Sequence, residues 1–390
     1  MFGECRGDVR TEEMKETFAK AGALGAVALL FVPIVGLVSC DDPQPIKVGF
    51  VSTFAGRASD LSKEGRDGAL LAIEEVNKNG GVDGRKIQLL VRDDENDADT
   101  ARRVDKELID EGVVAIVGHM TSAMSAAAAP LMAREKVVMV SPTTSTNELT
   151  GIDDYFLRVY APSSDAATEL AKYARQELGV SRISIIYDLS NKAHTKSWAL
   201  AFGDEFEALG GEIVMHRIFS SANNARLQDV AADMVVGDAE GIMLLAGALD
   251  SGLLCQYLRQ KGFDGSILVS QWSITRDIFR HGGSAVNGIR FFDAFDNDNR
   301  SDRYLAFKRA FETRFKYPSG FAGAYGFEAA QVVIEGIRRA KGSVGLRDTI
   351  LSIGEFEGLQ ARFAMDRFGD VKRQRILKTI KDGQFVSLKR

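Results

Sequence analysis

From Pro45 onward, apolar runs and apolar stripes alternate along the chain. PIKVGFVS (45–52) is an almost unbroken apolar run and reads as a buried strand. Ala69, Ala72, Ile73 and Val76 then fall at i, i+3, i+4 and i+7, one face of an amphipathic helix that Asn79-Gly80-Gly81 stops. Further strands are expected at 86–93, 113–118 and 137–141. Between them lie a helix with the stripe Ala101, Val104, Leu108, capped by Asp97 or Asp99, and an alanine-rich helix from Ser122 to about Glu135. The rhythm restarts with a helix over 166–178, a strand over 182–187, a helix over about 197–209 and strands at 212–219, 241–247 and 266–270, with a helix around Cys255. The tail departs from it. Residues 302–316 and 322–340 read as helices, and 373–388 as a hairpin turning at Asp382-Gly383.

Strands written as continuous apolar runs and separated by helices imply parallel sheets covered on both faces. There are more units than one doubly wound sheet needs, so the expected fold is α/β with two doubly wound lobes. No repeat of solenoid length is present, and no low-complexity segment beyond 126–129.

Composition narrows the function. The 390 residues are 45% hydrophobic and 26% charged, which suits a folded chain of two ordinary domains. With 49 basic and 54 acidic residues there is no basic excess, so nucleic acid is not an expected partner. Three cysteines do not make a disulfide framework, and Cys255 is expected to be a buried apolar residue.

The N-terminus changes the picture. Residues 21–39 carry no charge, and Leu37-Val38-Ser39-Cys40 at their end resembles a bacterial lipobox. Lys15 and Lys20 supply the positive flank of a secretory signal, and Met14 is an alternative start. Residues 1–39 are therefore expected to be a lipoprotein signal peptide, Cys40 the acylated residue after cleavage, and 40–45 a tether. An uncut membrane anchor is the alternative, and either places the remainder on the outer side of a membrane. Asp41 favours retention at the inner membrane in a Gram-negative host.

Catalytic signatures are missing: the chain has no G-x-S-x-G, H-E-x-x-H, phosphate-loop or C-x-x-C motif, and its four histidines are scattered. The run Asp93-Asp94-Glu95-Asn96-Asp97 lacks the glycine and distal glutamate of a calcium loop and reads as a strand end plus helix cap. A binding protein is expected, without enzyme activity, cofactor or metal. In open α/β sheets ligands sit beyond the carboxyl ends of the strands. Those ends carry Ser52 to Asp60, then 119–122 with Thr121 and Ser122, then 141–146 with Thr143, Thr144 and Ser145. In the second half they carry 188–195, 246–250 and 270–273. Hydroxyls beside free N–H groups at a helix start suit a small carboxylate. Simple capping by Ser122 is the other reading.

The succession N-K-N-G-G, D-D-x-x-D, G-H-x-x-S and S-P-x-x-x-x-x-E-L-T over 46–160, continuing more weakly to the C-terminus, resembles the type I periplasmic solute-binding proteins. The likeness is greatest to the leucine/isoleucine/valine binders of ABC importers. The resemblance implies three hinge crossings, near 160–163, 294–297 and 359–363, dividing the chain into 46–160 plus 297–358 and 163–294 plus 363–390. It puts the ligand carboxylate on Ser122 and Ser145, with Thr121 beside them and backbone near Thr143 and Thr144 toward an ammonium. It implies delivery to an ABC permease in the inner membrane; a sensory lipoprotein of the same fold is the alternative. The chain departs from the pattern where leucine binders place a glutamate. There Val269-Ser270-Gln271-Trp272 offers the Trp272 indole. His194 stands at a covering aromatic position, Asp60-Leu61 replaces another, and Asp250 is a possible compensating carboxylate. Amino acid, amide and carboxylate ligands all stay open.

Overall fold

The computed structural model describes residues 43–340 and 345–388. The expected signal peptide, the alternative start at Met14, the lipid site Cys40 and the first residues of the tether lie outside the described residues.

Five parallel strands build the first sheet: β1 (Ile46–Ser52), β2 (Ile87–Asp93), β3 (Ala115–Gly118), β4 (Val138–Ser141) and β5 (Phe156–Arg158), in the order β2-β1-β3-β4-β5. β3 and β4 are buried at every position because helices cover both faces. Phe50 and Val51 show the division, since successive side chains of a strand point to opposite faces. Phe50 packs toward α1 (Ser59–Lys78), α9 (Asp302–Phe315) and α10 (Phe321–Ala340); Val51 packs toward α2 (Ala98–Asp110) and α3 (Ser122–Glu135). The Asp97 carboxylate accepts from the Thr100 N–H at 2.8 Å and so caps α2.

The second sheet runs β14-β13-β10-β9-β8-β6-β7. Its parallel part is β6 (Arg182–Asp188), β7 (Glu212–Phe219), β8 (Gly241–Leu245), β9 (Ser266–Val269) and β10 (Arg290–Asp293). Here α4 (Ser163–Lys172) and α5 (Lys192–Ala208) cover one face around Trp198, Phe202 and Phe206. On the other face α6 (Leu227–Met234), α7 (Ala248–Gln260) and α8 (Asp277–Gly282) pack around Cys255, whose thiol burial pushes up to about 12. α5 starts five residues earlier than its stripe suggests, after a turn that the Asp188 carboxylate caps by accepting from the Ser190 N–H. α6 and α8 span eight and six residues, too short to print a periodic stripe. The edge is the expected hairpin: β13 (Ile376–Lys381) lies antiparallel on β10 and turns through Asp382 and Gly383, both at positive φ, into β14 (Gln384–Ser387).

The chain passes between sheets at residues 159–162 and 294–301. The third passage lies later than the expected 359–363. α11 (Leu346–Ile353) and the hairpin of β11 (Glu355–Glu357) with β12 (Arg362–Ala364) put Leu346, Phe356, Leu359 and Phe363 into the first lobe's core. Met365 and Val371 follow them there, and the Gly369 carbonyl accepts from the Arg158 N–H. Residues 363–371 therefore complete the first lobe, and the chain leaves it just before β13. Strands of three residues have no periodicity that would mark this in the sequence.

α1 and α10 touch through backbone. Gly65 and Gly68 face Gly323 and Gly326, and a Cβ added at Gly68 would stand 1.9 Å from the Gly323 carbonyl oxygen. Gly68→Val is expected to lower the unfolding free energy by about 3 kcal/mol in urea titration, because neither backbone can yield. Gly203→Ala is the control: a Cβ there meets nothing within 4 Å, and better helix propensity should leave stability unchanged or about 0.5–1 kcal/mol higher.

Candidate functional site

Each sheet reverses its strand order once, between β1 and β3 in the first and between β6 and β8 in the second. Ligand crevices form where that happens, and in this fold the two reversals face each other. From the first lobe come the segment 119–122, leading into α3, and the loop 142–146. From the second come the turn 189–191 with the start of α5, and the turn Gln271–Ser273 after β9.

Ser122 is the first residue of the fourteen-residue α3, and its Oγ accepts from the Ser145 N–H at 3.1 Å. The second lobe closes on this pair. The Asn191 side-chain carbonyl accepts from the Ala123 N–H at 3.0 Å, engaging the start of α3 across the cleft. His194 joins both lobes: its Nδ1 lies 2.9 Å from Ser145 Oγ and its Nε2 3.0 Å from Ser270 Oγ. Burial pushes the imidazole down to about 3, so it is neutral at physiological pH. Ser197 adds a third link, its Oγ accepting from the Asn147 N–H and pairing with Thr146 Oγ1.

These groups enclose a space of about 20 Å3, room for one water molecule. Its polar lining is Ser122, Thr143, Ser145, Asn191, His194 and Gln271; its apolar lining is Leu61, Met120, Tyr160, Trp272 and Phe321. The Gln271 Oε1 is buried without a hydrogen-bond partner, as is the Thr121 hydroxyl just before α3. Trp272 packs edge-on to His194, with ring centroids 5.9 Å apart, and separates this space from an outer hollow of about 340 Å3 lined by Arg57, Glu95, Ser190 and Asp250.

The sequence candidates therefore divide. Ser122, Thr143, Ser145, His194 and Trp272 converge on the inner space. Thr121, Thr144, Asp60 and Asp250 do not line it. Thr144 is fully buried, with its hydroxyl on Ser125 and its N–H on Ser141 Oγ. Asp250 pairs with Arg57 across the cleft mouth, on the far side of Trp272, and burial pushes its carboxyl up to about 6 against that arginine. Asp60 accepts from Thr275 of the second lobe, its carboxyl raised by burial. Both aspartates thus act as links between the lobes. Sequence reading did not single out Asn191, Gln271, Met120, Tyr160 and Phe321. A polar residue opening a helix was a readable signal for Asn191; the two aromatics sit in apolar patterns indistinguishable from core.

Beneath the loops lies a buried charge cluster. His119 Nδ1 is 2.8 Å from Asp94 Oδ2, and its Nε2 is 3.1 Å from Asp105 Oδ2. All three residues are at most 1% exposed. Burial opposes charge on the imidazole, but Asp105 and Asp94 outweigh it and push His119 up to about 10; the same pairing, against burial, lowers Asp94. The His119 carbonyl accepts from Ser141 Oγ at 2.7 Å, and Thr53 donates to Asp94 at 2.5 Å. One ion cluster thus holds the loops after β1, β2, β3 and β4 in register. The acidic run expected as strand end and cap is used as such, with Asp94 inside the cluster. No group of residues suited to a metal occurs among the described residues. A larger hollow of about 360 Å3 lies between α1, α10 and β11–β12, away from the strand ends and their hydroxyls.

The family model described as periplasmic binding protein matches residues 45–374. A Leu/Ile/Val-binding protein homolog from Brucella melitensis is 23% identical over 318 residues, covering 80% of this chain and 84% of its own. Two solved structures share the fold. One is a branched-chain amino acid transporter substrate binding protein from Streptococcus pneumoniae in complex with isoleucine (TM-score 0.80, 22% identity, 88% of this chain and 100% of that one). The other is an ABC transporter solute binding protein from R. palustris in complex with benzoate (TM-score 0.80, 16% identity, 88% and 95%).

Proposed function

We propose that this chain, which belongs to the periplasmic binding protein family, captures a small carboxylate or amino-acid-like solute between its lobes and presents it to an ABC permease. The observation that carries this reading is the convergence of Ser122, Ser145 and the start of α3 with Asn191 and His194 of the opposite lobe. Hydroxyls and helix N–H groups suit a carboxylate, and groups from both lobes bring them under a closed cover. The named ligands of the two structural neighbours, isoleucine and benzoate, have a carboxylate in common. Domain closure is then the functional event, and the closed surface is what a permease would read. Acylation of Cys40 would hold the protein at the membrane face where that permease lies.

Calorimetry with a panel of amino acids and small carboxylates, together with small-angle scattering, tests the reading. At least one member is expected to bind with compaction of the particle. A panel with neither binding nor compaction sinks it.

A further inference from the structure

We infer that the inner cleft selects a monocarboxylate that carries no ammonium group, its second polar group being a neutral hydroxyl or carbonyl. The inference rests on the solute-binding reading above and narrows it.

The first observation is the charge of the lining. Every polar side chain around the inner space is a hydroxyl, an amide or an imidazole, and none is ionised. His194 touches Ser145, Ser270, Trp198 and Trp272 and meets no charged group among the described residues. The carboxylates around the cleft already have partners: Asp250 pairs with Arg57 beyond the Trp272 indole, Asp60 with Thr275, and Asp293 with Lys378, the Phe295 N–H and the hydroxyl of the lining residue Tyr160. An ammonium shut into this cleft would lose its water and gain no counter-charge, a loss of orders of magnitude in affinity.

The second observation is that the cleft carries unspent neutral polarity. The Gln271 Oε1 is buried and partnerless, and the residue is only 6% exposed. The amide offers an acceptor and a donor of no net charge, suited to a hydroxyl or a carbonyl on the ligand. At the other end, Ser122 and Ser145 stand with the first turn of α3. That end suits one negative charge. The opposite end suits a dipole.

Calorimetry on the folded chain with matched pairs tests this. The pairs are L-leucine against (S)-2-hydroxy-4-methylpentanoate and 4-methyl-2-oxopentanoate, L-phenylalanine against 3-phenyllactate, and L-alanine against L-lactate; benzoate and 4-hydroxybenzoate complete the series. In whichever pair binds, the ammonium-free member is expected to bind at least tenfold tighter. Equal or tighter binding of the amino acid overturns the inference and leaves the solute-binding reading standing. Failure of every compound to bind overturns both. Gln271→Glu changes one neutral group into a carboxylate of the same shape. It is expected to swing the preference at least tenfold toward the amino acid of the pair, and an unchanged preference would also count against the inference.

Discussion

His119→Gln is expected to lower the unfolding free energy by about 3–5 kcal/mol, read from urea titration near pH 6. The substitution keeps hydrogen-bonding capacity and removes the charge, so Asp94 and Asp105 are left facing each other in a dry interior. A second change, Asp105→Asn, should restore part of the loss, because it removes one of the two uncompensated carboxylates. The pH dependence follows from the shifts. His119 is raised from its ordinary value near 6.5 to about 10, so its contribution is complete below about pH 6.5 and disappears as pH rises through 10. Asp94 is lowered, so its share is present above about pH 4 and is lost on acidification. The difference between native and variant should therefore peak between about pH 4 and 6.5. A flat difference across pH 5–10 would show that the imidazole is not charged in the fold.

His194→Gln is expected to remove a large acid sensitivity of closure. Opening would take Ser145 and the rest of the first lobe away from the imidazole and leave Ser270 beside it, so the ring is expected to gain water on opening. Shut, it sits near 3; a ring exposed by opening would return toward its ordinary value of about 6.5. Acidification therefore favours the open form by about tenfold per pH unit below 6.5, or roughly 100-fold at pH 4.5. Asp250 acts in the opposite direction. Its carboxyl is raised to about 6 in the closed structure, so protonation there favours closure as pH falls through 6. The native protein shows the sum of the two, and the comparison with His194→Gln isolates the histidine. Scattering at pH 7.5 and 4.5 reads the result: the variant should stay closed at pH 4.5 to a greater extent than the native chain. Equal opening in both would mean that protonation of His194 does not drive the lobes apart.

Much of this architecture could be read from the chain alone, for particular reasons. β3, β4 and β8 are buried on both faces, and that condition writes them as unbroken apolar runs. Loops at strand ends showed where hydroxyls collect, and Ser122 and Ser145 do converge. What sequence could not supply was the partner of each polar group. Asp60 and Asp250 looked available because Thr275 and Arg57, their partners in space, lie 215 and 193 residues away along the chain. Thr144 looked like its neighbours Thr143 and Ser145, yet its side chain points into the protein, which a run without regular period does not reveal. The third passage was misplaced because β11 and β12 are three residues each and are held by tertiary packing. Glu64 makes the same point: a charged residue in α1, it is buried and accepts from the N–H groups of Gly320 and Gly323 at the start of α10.

Neither lobe is a continuous stretch of chain. The first receives its closing pieces, α9 through Val371, after nearly all of the second has been made, and the second receives β13 and β14 after that. As the polypeptide leaves the ribosome, all five strands of the first sheet emerge before α10, the helix that covers one of its faces. Both interiors are thus completed only after α9 to β14 have been made, by contacts of very long sequence separation, which are slow to form. A chain built in this order stays without its finished cores until α9 to β14 arrive, and this favours late, near-simultaneous completion of the two lobes over completion of the first lobe before the second.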